Sequence, residues 1–448
     1  MALQFILGPA RSGKTTYIYD RIIRESMEKP DQEFFLLVPD QSTLNAQREL
    51  VTRHPAHGTM NIDVVGFFRL AYRIFEELSY VPKNLLEDEG KSMVIRKVME
   101  KNRKNLKIFG SSMKKPGFIE ELKSFFAEMY QYDVSRKDLE DAAEHMKHPA
   151  LRAKMDDILL VMTEFEDYIQ ERYLISEQLL DVLAGKMEES RKLKNAVFYL
   201  DGFTGFTPIQ RKVIQKLMKI GQKVFISMTV DEAAVSKEYR EYELFALPKK
   251  ERMILMRDAM ELGVKVEKDI FCRPDDRGSA QLRHLERNLF RYPYRAWKGE
   301  CQDICVFQAM NPRTESQIIA GRIETLVRKH GYQYKDIVVL TADLESYGSE
   351  LERSFQDFHI PYFVDANRKL KNNPCIETIL SALKMIQKDF SYDMVFRYLK
   401  SGFSCLNQEE ADLLENYVIA MGIRGYSRWN RPFETEIFSK EEQERIEP

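Results

Sequence analysis

Near the amino terminus, Gly8-Pro9-Ala10-Arg11-Ser12-Gly13-Lys14-Thr15 carries the spacing GxxxxGK[ST] of a phosphate-binding loop. In such a loop, backbone N–H groups at a positive helix terminus surround phosphate oxygens. The lysine reaches the outer phosphates and the hydroxyl residue holds Mg²⁺. Lys14 and Thr15 fit those roles, and with Gly8, Pro9, Ala10, Arg11, Ser12, Gly13 and Thr16 they form the candidate nucleotide segment. The expected ligands are ATP and Mg²⁺. A glycine-rich turn with this spacing also arises by chance, so the flanking elements decide between the two readings.

The second candidate is Asp201, which ends the apolar run Ala196-Val197-Phe198-Tyr199-Leu200. An aspartate at the carboxyl end of a parallel strand points into the crevice where ligands bind, so Asp201 is the expected Walker B acid, sharing Mg²⁺ with Thr15. The competing reading is a loop cap. Gly202 follows, where a hydrolytic motor places a carboxylate to orient water. The nearest other acids, Asp231 and Glu232, come after the next apolar run. This pattern predicts a site that binds nucleotide and turns it over slowly or not at all. The sequence holds no catalytic acid pair, nucleophile–base set or metal-ligand cluster. Between 91 and 116, Lys91, Arg96, Lys97, Lys101, Arg103, Lys104, Lys107, Lys114 and Lys115 face a single acid, Glu100. Such a run can follow a DNA backbone or simply be a solvated helix face. Phe67, Phe68, Tyr72 and Phe75 can stack on bases, although their helical spacing suits a core equally well.

The elements that must position these residues are legible. A short buried strand over 2–7 precedes the loop, a helix from Thr15 to about Met27 follows it, and Glu33–Pro39 is a second buried strand, ending at a proline. Strand, helix, strand is a βαβ unit with a parallel sheet. Val64-Val65 begins a further strand before a helical Phe67–Leu78. The periodicity is helical from about 80 to 190, after which strands recur at 196–201 and 223–228 around a helix at 208–220. A second block is expected from 303, with strands at Ile304–Phe307, Ile337–Leu340 and Tyr362–Val364 and helices at 314–329 and 345–358. The expected partition is a first RecA-like domain over 1–78 and 191–235, with a helical insertion at 79–190 and a connector at 236–300. A second RecA-like α/β domain follows at 301–385, and 386–448 starts another, incomplete helical insertion.

The 448 residues carry a net charge of -2, so any DNA contact must come from local patches. Five cysteines, an odd and sparse set, fit reduced thiols better than a disulfide framework, and no apolar run reaches transmembrane length. The expected setting is the cytoplasm, with no membrane partner.

A P-loop α/β domain with a helical insertion, followed by a second such domain, is the layout of superfamily 1 helicases. The strings Phe5-Ile6-Leu7-Gly8, Leu37-Val38-Pro39-Asp40-Gln41-Ser42-Thr43, Phe67-Phe68-Arg69-Leu70-Ala71 and Leu200-Asp201-Gly202-Phe203-Thr204-Gly205-Phe206-Thr207-Pro208 narrow this. So do Leu285-Glu286-Arg287-Asn288-Leu289-Phe290, Asp336–Thr341 and Leu414–Val418. Together they resemble the B subunit of AddAB-type helicase–nucleases. The resemblance implies work beside a translocating A subunit, on double- and single-stranded DNA, in resecting double-strand breaks for recombinational repair, with a part in recognising Chi. It also implies DNA-facing roles for Gln41, Thr43 and Arg69, to which the charge run adds Lys97, Lys101, Arg103 and Lys104. Gly66 and Phe68 stand where small hydroxyl residues are common, and Ala342 stands where a phosphate-contacting arginine is common. These departures point to a motor that has lost its drive. The resemblance also implies a nuclease domain and four iron–sulfur cysteines, expected in a carboxyl-terminal part outside this sequence; no cysteine here matches that motif. The competing readings are a DNA-binding scaffold with a relic P-loop and, further off, a P-loop kinase.

Overall fold

Alternate residues of three apolar runs go to opposite faces of one sheet. Leu3, Phe5, Leu7, Phe35, Leu37, Phe198 and Leu200 enter one core, while Ile6, Phe34, Leu36, Val197 and Tyr199 enter another. A parallel sheet covered by helices on both faces has no polar side, which is why these runs read as continuously apolar. The computed structural model describes residues 1–59, 61–113, 115–170, 172–235, 239–273, 279–365, 370 and 373–432.

The first of two units spans Met1–Cys305. Its elements begin with β1 (Ala2–Gly8), α1 (Lys14–Glu28), β2 (Phe34–Leu37), α2 (Thr43–Arg53), β3 (Ile62–Val65) and α3 (Phe67–Glu77). Next come β4 (Asn84–Leu86), α4 (Asp88–Lys101), α5 (Pro116–Gln131), α6 (Arg136–Glu144), α7 (Pro149–Gln170), β5 (Tyr173–Ile175) and α8 (Leu179–Lys186). The unit closes with β6 (Val197–Leu200), α9 (Pro208–Ile220), β7 (Lys223–Thr229), α10 (Glu232–Val235), α11 (Ala246–Glu261), β8 (Lys265–Val266), β9 (Ile270–Phe271) and α12 (Ala280–Asn288). The strand order is β3-β2-β6-β7-β1-β8, with β9 also on β1, and every described ladder is parallel.

Elements β4 to α7 with β5 form their own core around Ile95, Val98, Phe126, Val161 and Phe165. The parallel pair β4–β5 within it is not legible in the sequence, because three residues per strand are too few to show a period. Strands β8 and β9 lie in the stretch expected to be a connector, and they extend the first sheet beside β1.

The second unit spans Val306–Pro448 and is helical among its described residues. Helices α13 (Pro312–His330) and α14 (Leu344–Asp357) share a small core of Ala320, Ile323, Leu351, Phe355 and Ile360. After them, α15 (Pro374–Gln387), α16 (Tyr392–Leu399) and α17 (Gln408–Met421) lead to a core of Phe396, Tyr417, Val418 and Ile423. The strands expected at 304–307, 337–340 and 362–364 do not form: these residues carry no ladder. Val338 is 76% exposed, Leu340 90% and Phe363 88%, so no neighbouring strand covers them. The apolar runs are real, but a strand needs a partner for its backbone groups. The incomplete insertion expected at 386–448 is described only as far as residue 432.

Candidate nucleotide and DNA sites

The loop between β1 and α1 is built by two left-handed residues. Arg11 has φ 56° and Gly13 has φ 81°, and Gly13 is the N-cap of α1, so the chain turns sharply from strand into helix. Gly8 has a different reason to be glycine. A Cβ there would lie 2.3 Å from Ser12 Oγ and 2.5 Å from the Cys272 carbonyl oxygen. Cys272 follows β9, and its N–H donates to the Leu7 carbonyl at 2.7 Å, so β9 presses against the root of the loop.

Lys14 Nζ donates to the Gly8 and Pro9 carbonyls at 2.9 and 2.8 Å. Burial lowers the Lys14 pKa, and Asp201 opposes that shift, followed by Cys272 and Glu286. Asp201 is buried at the end of β6, and Ser227 on β7 donates to its Oδ1 at 2.5 Å. The strand order sets β7 between the loop strand and the Asp201 strand, so Ser227 steadies the acid across the sheet. Ser227 is visible in the sequence as the one hydroxyl in the apolar run Val224–Met228, but its role needs the strand order.

These groups fit a bound nucleotide phosphate. Ser12 is 6% exposed, and its buried Oγ has no partner in the structure. Around it stand a partly desolvated ammonium, a helix N-terminus and a buried acid, which are the donors and the metal-binding oxygen that a Mg²⁺–phosphate group uses. Thr15 and Thr16 lie exposed at the first turn of α1, and Pro9, Ala10 and Arg11 line the open side of the loop. Among the described residues no three His, Cys, Asp or Glu side chains converge as a metal-binding group of their own.

Gly202 has φ 78°, a region that side chains rarely adopt, so a carboxylate at 202 would strain the backbone. Beyond it, Phe203 packs edge-on against Phe67 at 5.5 Å and tilted against Phe206 at 5.2 Å. Phe203, Phe206, Leu247, Glu251, Glu286 and Ala10 line a mostly apolar cavity of about 500 Å³ that opens beside the loop.

The segments after β2 and β3 meet. Burial raises the Asp40 pKa and Arg69 pulls it down, which puts the two within electrostatic reach. A Cβ on Gly66 would fall 1.8 Å from Asp40 Oδ1, so a side chain at 66 would displace the Asp40 carboxylate. Gln41 and Arg69 are exposed, and Thr43 is half-buried, its hydroxyl donating to the Asp40 carbonyl at 2.9 Å. Of the four aromatics, Phe67 and Phe75 are core, whereas Phe68 and Tyr72 are exposed on either side of Arg69.

Three of the nine basic residues between 91 and 116 are answered by acids from elsewhere. Lys91 is buried against Glu177 at 2.9 Å, Lys101 pairs with Glu164 at 2.7 Å and Lys107 with Asp156 at 2.6 Å. Lys97 sits over the Tyr168 ring at 4.9 Å. Arg96, Arg103 and Lys104 are exposed, and Lys114 lies outside the described residues. Ala342 is exposed in the second unit. No helix among the described residues is long and apolar enough to cross a membrane.

A mostly parallel α/β sheet, a P-loop on β1 and a buried acid on the next strand but one define a RecA-like P-loop protein. Residues 5–286 match the family described as ADDB, N-terminal, and residues 284–439 match the UvrD-like helicase C-terminal domain. The chain belongs to the ADDB N-terminal family. It is 38% identical over 447 residues to the B subunit of the ATP-dependent helicase/deoxyribonuclease of Lachnoclostridium phytofermentans, covering 97% of this chain and 39% of that one. The Clostridium botulinum and Clostridium tetani proteins of the same name are each 34% identical, covering 99% and 96% of this chain and 39% and 38% of their own. The chain thus spans about two-fifths of the length of the curated relatives it matches.

Proposed function

We propose that this chain is the amino-terminal part of a helicase-like subunit that binds ATP with Mg²⁺ and DNA. It would work in the cytoplasm inside a heterodimer with an AddA-like motor and nuclease subunit. The complex would resect double-strand breaks for recombinational repair, with Chi recognition among this subunit's tasks. The proposed domain partition is a split first RecA-like domain with an inserted helical domain, then a second RecA-like domain, although the second unit is helical among its described residues and β8 and β9 join the first sheet. Gln41, Thr43 and Arg69, with the exposed Phe68 and Tyr72, form the proposed DNA-facing strip at the carboxyl ends of β2 and β3, with Arg103 and Lys104 outside it.

One observation carries the nucleotide reading. The buried Ser12 hydroxyl is without a partner in a loop whose lysine and acid are both in place. Lys14 would hold the outer phosphates, and Thr15 and Asp201 would hold the metal, which neutralises phosphate charge. The left-handed Gly202 leaves no carboxylate to orient water, which supports a role for nucleotide as ligand rather than fuel. The test is titration of a fluorescent ATP analogue into the chain and into Lys14→Ala. Binding that depends on Lys14 is expected, and equal affinities in the two proteins would sink the reading.

A further inference from the structure

The acids at the outer end of the P-loop have no part in the reading above. Val230, at the end of β7, donates its N–H to the Gly8 carbonyl at 3.1 Å, the same carbonyl that accepts from Lys14. Asp231 follows directly and is held by Arg291 Nη1. Arg291 Nη2 lies 3.6 Å from Glu286 Oε1, and the guanidinium rests over the Phe245 ring at 5.4 Å. Glu286 is on α12, whose start is fixed by Ser279 accepting from the Leu282 N–H at 3.1 Å. The helix carries Glu286 into the wall of the cavity that Ala10 also lines. Two carboxylates and one guanidinium leave this cluster with net negative charge, and the charge of Glu286 reaches Lys14. The neighbouring Arg273–Glu232 pair, at 3.3 Å, is neutral overall.

We propose that Glu286, within the Asp231–Arg291–Glu286 cluster, is a specificity-determining residue that makes the P-loop prefer a nucleoside diphosphate to a triphosphate. The inference rests on the nucleotide reading above. Inner phosphates sit on the first turn of α1, and the outermost lies at Lys14, which the charge of Glu286 reaches. A third phosphate adds negative charge there, opposite a carboxylate that Arg291, already engaged by Asp231, and the neighbouring Arg287 only partly neutralise. At the edge of a half-open cavity, one such like-charge contact changes affinity by about three- to tenfold. The diphosphate stops short of it.

The test uses the full 448-residue chain with fluorescent ADP and a non-hydrolysable ATP analogue, each with Mg²⁺, at low and high salt. The wild-type chain should bind the diphosphate more tightly, and salt should narrow the gap, since screening weakens the repulsion. Glu286→Gln should strengthen triphosphate binding by about three- to tenfold while leaving diphosphate binding nearly unchanged. Asp231→Asn, which frees Arg291, should move the ratio the same way. Equal wild-type affinity for the two nucleotides would overturn the proposal. So would a Glu286→Gln change that is equal for both, or absent while Lys14-dependent binding persists. Loss of all Lys14-dependent binding is a different failure, because it removes the nucleotide reading itself and this inference with it.

Discussion

Adding a single methyl at Gly8 tests whether β9 truly braces the phosphate loop. In Gly8→Ala the new Cβ would meet Ser12 Oγ at 2.3 Å and the Cys272 carbonyl oxygen at 2.5 Å. Comfortable contact is about 3.5 Å, so a neighbour must retreat by about 1 Å. Ser12 can turn away, but the Cys272 carbonyl is backbone, tied to β1 by the hydrogen bond from Cys272 N–H to Leu7. Overpacking of this kind costs about 1–3 kcal/mol, and straining that ladder bond adds about 1 kcal/mol. The expected loss is therefore about 2–4 kcal/mol in the transition of the first unit. Urea unfolding followed by far-ultraviolet circular dichroism measures it, with an unchanged slope showing that stability alone has moved. Adding Ser12→Ala to Gly8→Ala removes only the hydroxyl contact and should restore less than half of the loss. A cost below about 0.5 kcal/mol, or full rescue by Ser12→Ala, would refute the bracing.

Two further predictions concern stability. Asp157 is 1% exposed and accepts the N–H groups of Lys107, Ile108 and Phe109 at 2.8, 2.7 and 2.9 Å. Asp157→Ala should cost about 3–5 kcal/mol, and Asp157→Asn less, since the amide keeps one accepting oxygen. Hydrogen exchange over 86–175 reads this, and unchanged protection in Asp157→Ala would contradict it. Burial pushes the Glu77 pKa up, but the Ser190 hydroxyl and the Lys192 and Arg191 N–H groups outweigh it, so the carboxyl titrates below its ordinary value. A depressed folded pKa stabilises the fold above the ordinary value of about 4.3, and that contribution fades as pH falls through the folded value. Glu77→Gln should cost about 1 kcal/mol at neutral pH and flatten the stability profile in the acid range. A wild-type acid slope retained in Glu77→Gln would contradict this.

The P-loop, its strand and its helix are legible in the sequence because motif, burial run and helix start reinforce one another within about thirty residues. Asp201 is legible for the same reason, as an acid ending an apolar run. What escapes depends on partners distant in sequence. The lysines between 91 and 116 read as an open basic face until Glu164, Asp156 and Glu177 meet three of them. The glycine at 66 reads as a lost hydroxyl, yet any side chain there would have to push the Asp40 carboxylate aside. Strands β8 and β9 have two residues each and no period to detect. The apolar runs near 304, 337 and 362 carry strand composition, but composition does not supply the neighbouring strand. Glu286 sits in a family-like string, and only the fold brings it to the loop.

Nucleotide held at the P-loop without being driven through turnover is the central claim. Binding and hydrolysis of ATP by the chain, measured together with and without single-stranded DNA, test it most directly. The predicted result is binding that is lost in Lys14→Ala, with at most slow release of phosphate, unchanged by DNA. Binding indifferent to Lys14, or rapid DNA-stimulated hydrolysis by the chain alone, would contradict it.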